Sequence, residues 1–236
     1  GTLFAFLVVC LGVLALRMMY VSPVAEYAAL LRLAHVPVLF VTLSIVAMVR
    51  LVFGPAYAWI GVATVGLRVV ATVVNFAATV NLNYVTLDGL RQVEVLGRMV
   101  NAPLGTPSRW TWLGVASNLM MIAYIAAAAA SHARLGPEQR RRALVVGSGL
   151  AVCVLFATGI WTLINNAVVV APVMVSLPFF GIVVIMALEV SRDLAAARRV
   201  AQELHESQQR NELAASAAGL GMFSWQAEGG RLWANA

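Results

Sequence analysis

Six apolar stretches, each long enough to cross a lipid bilayer as a helix, leave this chain few folds to choose from. A hydrocarbon core of ~30 Å is spanned by ~20 residues rising 1.5 Å each. The stretches lie near residues 2–19, 33–53, 57–80, 110–131, 143–163 and 168–190, here termed spans A to F. Hydrophobic residues make up 61% of the 236 and charged residues only 11%, against ~25% charge in a soluble domain. A globule of this size has too little interior for so much apolar surface, so lipid has to be its solvent. The expected fold class is an all-α membrane protein, a polytopic transmembrane helix bundle over residues 1–190.

The connections punctuate the bundle. Residues 20–32 join spans A and B and carry Pro23, Glu26 and Arg32. Pro37 falls near the expected start of span B, where a missing N–H costs least. Gly54-Pro55 marks the next turn. Residues 81–109 form the one long connection, opened by the break Asn81-Leu82-Asn83-Tyr84. Asp88-Gly89 is a turn signal there and Arg91-Gln92-Val93-Glu94-Val95 alternates, so this segment reads as a small β-hairpin. Pro103, Gly105 and Pro107 give a rigid, non-helical approach to span D. Five alanines at 126–130 permit close helix approach. Pro172 and Pro178 either bend span F or delay its start.

All sixteen basic residues are Arg, and the net charge is +6. The excess collects at span ends rather than on one folded surface, which argues against a nucleic-acid partner. The elbow between spans D and E sets Arg134, Arg140, Arg141 and Arg142 against Glu138, and Arg192, Arg198 and Arg199 follow span F. Both segments should face the cytoplasm. Residues 81–109 then form an extracytoplasmic connection, although Arg91, Arg98 and Arg109 weaken the contrast that Asp88 and Glu94 partly restore. Gly1 leads straight into an apolar run, so an upstream piece is expected, and one more span would make seven. Cys10 and Cys153 lie in apolar runs without framework spacing and read as small buried hydrophobes.

Beyond span F the pattern changes. Val190, Leu194, Ala197, Ala201 and Leu204 recur at spacings of four, three, four and three, and Gln208 and Asn211 continue the register. This is a heptad seam with charged residues between its positions. Residues 191–213, entered through Glu189, are expected to form a signalling helix that pairs in a parallel dimeric coil. The other reading is a solvated amphipathic helix packed on its own protein.

The segment Glu212-Leu213-Ala214-Ala215-Ser216-Ala217-Ala218-Gly219-Leu220-Gly221-Met222-Phe223-Ser224-Trp225 resembles the opening of a PAS domain, and Gly229-Gly230-Arg231-Leu232-Trp233 resembles its turn and second strand. Residues 214–236 are thus a partial PAS-domain start. The membrane part resembles the multi-span sensor module of bacterial PAS-containing histidine kinases in Leu33-Ala34-His35-Val36-Pro37, in Asn81-Leu82-Asn83-Tyr84 and in Glu189-Val190-Ser191-Arg192-Asp193-Leu194. The resemblance implies a multi-pass protein of the bacterial inner membrane with its tail in the cytoplasm. It also implies a homodimer that relays a stimulus to PAS and kinase domains, and through them to a response regulator. ATP and Mg would belong to that downstream kinase region, and no catalytic residue or cofactor falls within these 236 residues. His205 lacks the acidic neighbour and Pro pattern usual around a phospho-accepting His.

Arg68 is the sharpest anomaly. It lies near the middle of span C, where an ionised group must be paired or hydrated. Asn75, Thr64 and Thr72 share its helix face and make a polar stripe toward the bundle interior. Three readings stay open: Arg68 fixes packing through carbonyls or ordered water, it contacts a ligand or anion, or it serves ion conduction, for which a single Arg without an acidic relay is poor evidence. Nearer the outer side lie Tyr27, Arg32, His35, Asn81, Asn83, Tyr84, Asn118 and Trp161. His35 reads equally as a satisfied helix-start histidine, and the tryptophans as interfacial anchors. The expected ligand site joins Arg68, Asn75, His35, Tyr84, Asn81, Asn83 and Asn118 in an outward-facing cavity capped by residues 81–109.

Metal binding is not expected, since His35, His132 and His205 lie at different depths and neither Cys has a ligand beside it. No Lys-containing phosphate loop, Gly-x-Ser-x-Gly or His-Glu-x-x-His occurs. A transporter or channel subunit, a sensor feeding a cyclic-dinucleotide synthase, and a structural subunit of a membrane complex are the alternatives.

Overall fold

The structure, a computed structural model, describes residues 2–174, 176–217, 222–226 and 231–235. It divides into two compact units, Gly1–Met186 and Ala187–Ala236, so the boundary falls slightly before the expected residue 190.

The first unit is a helix bundle. Helix α1 spans Thr2–Tyr20. Its two faces are both apolar: Phe4, Leu7, Leu11, Ala15 and Met18 are buried, while Leu3, Phe6, Val9, Val13 and Leu16 are exposed. Water would not tolerate the second face, and lipid does. Helix α2 spans Val24–Phe53. It begins well before the expected residue 33 and absorbs most of the A–B connection. Pro37 therefore sits inside the helix rather than near its start. Its missing N–H removes the bond that Leu33 would otherwise accept, and flanking helices make such breaks tolerable in membrane spans.

Helix α3 spans Ala58–Ala77 and α4 spans Thr111–His132. A 3₁₀ turn at Ala133–Leu135, helix α5 at Pro137–Arg142 and a π-helical turn at Ala143–Gly147 lead into α6, Ser148–Asn165. Among the described residues, five helical segments are long and apolar enough to cross a membrane: Thr2–Tyr20, Val24–Phe53, Ala58–Ala77, Thr111–Leu135 and Pro137–Asn165. The chain is a polytopic, largely helical membrane protein. The expected sixth span is not one unbroken helix from residue 168. The left-handed Ala167 (φ 55°) closes α6, and the amides of Val168 and Val169 turn back to the Leu163 carbonyl. Residues 171–174 are non-helical, as the Pro at 172 favours. Helix α7 starts only at Ser176 and runs to Ala217, with Pro178 in its first turn, where no helical partner is lost. Of the two outcomes expected for these prolines, the late start holds.

Alternation along the chain brings connections together at each end. Asn101 Nδ2 donates to the Val21 carbonyl at 2.7 Å, and Val173 packs with Met18, Val21, Tyr27 and Tyr84. The A–B, C–D and E–F connections thus share one end. At the other end the Phe53 and His132 rings lie 5.5 Å apart. Small residues let the helices close up between these ends. A Cβ on Gly61 would lie 3.0 Å from Val46 Cγ1, and one on Gly149 would lie 2.6 Å from Ile185 Cδ1. In lipid such packing, rather than escape from water, holds helices together. Cys10 and Cys153 are free and half-buried, less enclosed than expected.

The C–D connection is an antiparallel hairpin of β1, Tyr84–Val95, and β2, Arg98–Pro107. Its turn is not at Asp88-Gly89. Val95 pairs with Arg98, leaving Leu96 (φ 51°) and Gly97 (φ 76°) as the two left-handed turn residues, as a primed two-residue turn requires. Asp88-Gly89 instead marks a register shift within β1. Pro103, Gly105 and Pro107, expected as a rigid non-helical approach, are strand residues of β2.

In the second unit the remainder of α7 is followed by β3, Met222–Gln226, and β4, Arg231–Asn235, which pair antiparallel. The expected order of helix, strand and strand is present, but one two-stranded hairpin is not a PAS fold. Ala218, Gly219, Gly221, Gly229 and Gly230 lie outside the described residues. The seam residues Val190, Leu194 and Leu204 are exposed along the single chain, as are Ala197 and Ala201.

A Cβ on Gly105 would lie 2.2 Å from the Thr86 carbonyl oxygen, whereas one on Gly89 meets nothing within 4 Å. Gly105→Ala should therefore destabilise the hairpin by about 1–3 kcal/mol, and Gly89→Ala should not. Hydrogen exchange of the β1 and β2 amides in detergent would measure both; equal protection in the two variants would contradict the register.

Candidate functional site

The buried face of α3 sets the site. Thr64, Arg68, Ala71 and Asn75 all turn inward, four positions repeating every three or four residues, as one helix face demands. Arg68 is 4% exposed. Its Nη2 donates to Asn118 Oδ1 and, at 3.4 Å, to the Gly114 carbonyl on α4. Asn118 Nδ2 donates onward to Thr158 Oγ1 on α6 at 2.9 Å, and Thr158 donates to the Val154 carbonyl. A polar rung thus links α3, α4 and α6. Beside it, Ser117 Oγ donates to the Thr64 carbonyl at 3.1 Å. Thr64 and Thr72 donate to carbonyls of their own helix.

Among the described residues Arg68 has no carboxylate within salt-bridge distance. Its Nε is buried without a hydrogen-bond partner. On α2, His35 Nε2 accepts from Asn83 Nδ2 at 3.0 Å. That contact places the neutral ring's proton on Nδ1, and Nδ1 is also buried without a partner.

These side chains meet at a cavity of about 90 Å³ whose wall includes His35, Arg68, Asn83 and Asn118. The rest of the wall is chiefly apolar and includes Val41 and Ile45 of α2, Val154 of α6 and Phe179 of α7. Four of the seven expected ligand-site residues therefore share one space. Asn75, Asn81 and Tyr84 are placed elsewhere. Asn75 donates to the Arg32 carbonyl and accepts from the Leu82 amide, at 2.9 and 3.0 Å, joining α2 to the chain beyond α3. Asn81 Oδ1 accepts from the amides of Asn83 and Tyr84, a side-chain turn that aims Asn83 at His35. The Tyr84 hydroxyl is buried and unpartnered, and burial pushes its pKa up to about 12, so it stays neutral.

Arg32 does not share a task with His35 despite the i,i+3 spacing. Its guanidinium donates to the Ala78 and Thr79 carbonyls, both at 2.8 Å, where a cation suits the C-terminus of α3. The expected group also missed Thr158, Ser117 and Thr111. Thr111 Oγ1 reaches the Leu82 and Asn83 carbonyls at 3.4 and 3.3 Å and accepts from Asn165 Nδ2. Polar residues inside apolar runs were the available signal for all three. Among the described residues no three His, Cys, Asp or Glu side chains come together as a metal cluster.

Asn118→Leu keeps the volume but leaves the Arg68 guanidinium with one long hydrogen bond. The expected cost is about 1.5–3 kcal/mol, the range for bonds to charged groups. Reversible unfolding in bicelles would report it; a variant as stable as the wild type would mean that other groups satisfy Arg68.

No family model matches the chain, no curated protein resembles it, and no solved structure matches its fold.

Proposed function

We propose that this chain is the transmembrane sensory region of a bacterial sensor histidine kinase, in which occupancy of the intramembrane cavity is relayed through α7 to the cytoplasm. The observation that carries this reading is Phe179. It forms part of the cavity wall, and it belongs to the helix that continues to Ala217. A change inside the cavity therefore acts directly on the element that carries the heptad seam.

Bonding around the cavity supports the same reading. Helices α2, α3, α4 and α6 are joined by directional side-chain hydrogen bonds through Asn75, Ser117, Arg68 and Asn118. Residues 176–186 of α7 make no hydrogen bond to another helix among the described residues. They meet the bundle through apolar contacts, such as Ile185 near Gly149 and Gly181 near Cys153. Apolar contacts are non-directional, so α7 can shift or rotate at lower cost than its neighbours. In this reading the tail is cytoplasmic, Glu189 leads into the signalling helix, and Val190, Leu194, Ala197, Ala201 and Leu204 form the interface of a homodimer. Residues 214–236 open a PAS domain, and ATP, Mg and a response regulator act downstream of it.

Single cysteines placed in a background lacking Cys10 and Cys153 test the relay in native membranes. Leu194→Cys and Leu204→Cys should form disulfide-linked dimers, and Arg199→Cys, off the seam, should not. Ala157→Leu, which fills the cavity, should change the Leu194→Cys yield. Equal yields on and off the seam would sink the dimeric helix, and indifference to Ala157→Leu would sink the relay.

A further inference from the structure

The cavity holds more donors than acceptors. Arg68 carries five N–H groups and never loses its charge in proteins, and its bonded acceptors are the Gly114 carbonyl and Asn118 Oδ1. Its Nε and His35 Nδ1 are buried without acceptors. Neither group has a carboxylate partner among the described residues. Such a surplus calls for an occupant that supplies acceptor atoms and negative charge.

The remaining wall describes the body of that occupant. Val41 and Ile45 lie six and ten residues beyond His35 on α2, about 9 and 15 Å farther from the hairpin end at 1.5 Å per residue. His35 and Asn83 thus lie toward the hairpin end. Arg68 and Thr42 lie deeper, between the levels where Asn75 meets Arg32 and Gly61 meets Val46, and the wall around Ile45 and Val154 is apolar. Water alone fits poorly there, because each molecule needs two to four polar partners. The cavity is about 90 Å³, below the ~150 Å³ of a cavity that holds benzene. It is also drawn out along α2, so a short aliphatic body suits it better than a ring.

We infer that the cavity binds a short-chain aliphatic carboxylate, with its carboxylate on Arg68 and His35 and its methylene body against Val41, Ile45 and Val154. This rests on the sensory reading only in treating the cavity as a ligand site.

The test uses the whole chain in phosphatidylcholine nanodiscs, so that no anionic lipid competes, with radiolabelled butyrate as probe. Wild type should bind butyrate saturably, and Arg68→Gln should weaken binding by about tenfold or more, the loss expected for a charge-assisted hydrogen bond. Butyramide, of the same shape without the charge, should not compete. Ala157→Leu retains Arg68 and fills the space, so it should abolish binding; it decides the matter if Arg68→Gln does not fold. Unchanged binding in folded Arg68→Gln or Ala157→Leu would overturn the inference. So would full competition by chloride, which marks a simple anion site, or tighter binding of decanoate, which marks a lipid-acid site. Butyrate binding that leaves the Leu194→Cys cross-link unchanged would instead overturn the relay and keep the ligand. A cross-link that responds to Ala157→Leu without any butyrate binding would do the reverse.

Discussion

A guanidinium held inside an apolar bundle, with no carboxylate beside it among the described residues, governs much of this architecture. By insertion scales an Arg at the centre of a membrane helix costs ~2.5–3.5 kcal/mol before partners are counted. The chain offsets that cost with neutral oxygens. Asn118 and the Gly114 carbonyl receive Arg68, and Asn118 is itself fixed by Thr158. Three helices are thereby set in register by one charge. A polar link in lipid has no water to exchange with, so it positions helices more sharply than apolar contact does. The arrangement also leaves the guanidinium Nε buried without a partner, beside the cavity that Arg68 helps to line.

The long apolar runs made the bundle legible, because length and composition alone decide whether a helix can span lipid. Helix ends were less legible. The span B pattern starts at residue 33 only if Glu26 and Arg32 are read as loop residues. In the structure Glu26 pairs with Arg17 at 2.8 Å and Arg32 binds the end of α3, so both charges are met inside or beside a helix. The hairpin was legible from its alternation, but its turn was not. Asp-Gly is the commoner turn chemistry, yet strand pairing from Tyr84 to Pro107 places Leu96 and Gly97 at the reversal. Register over a whole ladder outweighs the preference of one dipeptide.

The site was legible in part for a related reason. Arg68 and His35 stand out because each is a polar residue in an apolar setting, and both line the cavity. Asn75, Asn81 and Tyr84 stand out equally in the sequence, but the fold uses the two asparagines to bond backbone groups around the end of α3 and the start of β1. Sequence reveals that a polar group in lipid needs a partner. It does not reveal whether that partner is backbone, another side chain or a bound molecule, because that depends on which helices face each other.

The distribution of bonds around the cavity also separates a fixed part from a movable one. Asn75, Ser117, Arg68 and Asn118 bind α2, α3, α4 and α6 to one another or to the segments between them, while residues 176–186 of α7 rely on apolar contacts. In the proposed relay, a molecule entering such a space would displace the wall held by the fewest directional bonds. Phe179 is on that wall. Had the polar rung extended to α7, the same occupant would have been clamped without mechanical effect. Side-chain hydrogen bonds between the other helices, and apolar contacts from residues 176–186 of α7 among the described residues, are the division of labour that the proposed relay requires. A transport pathway would need the opposite, a translocation route opening through helices that part from one another.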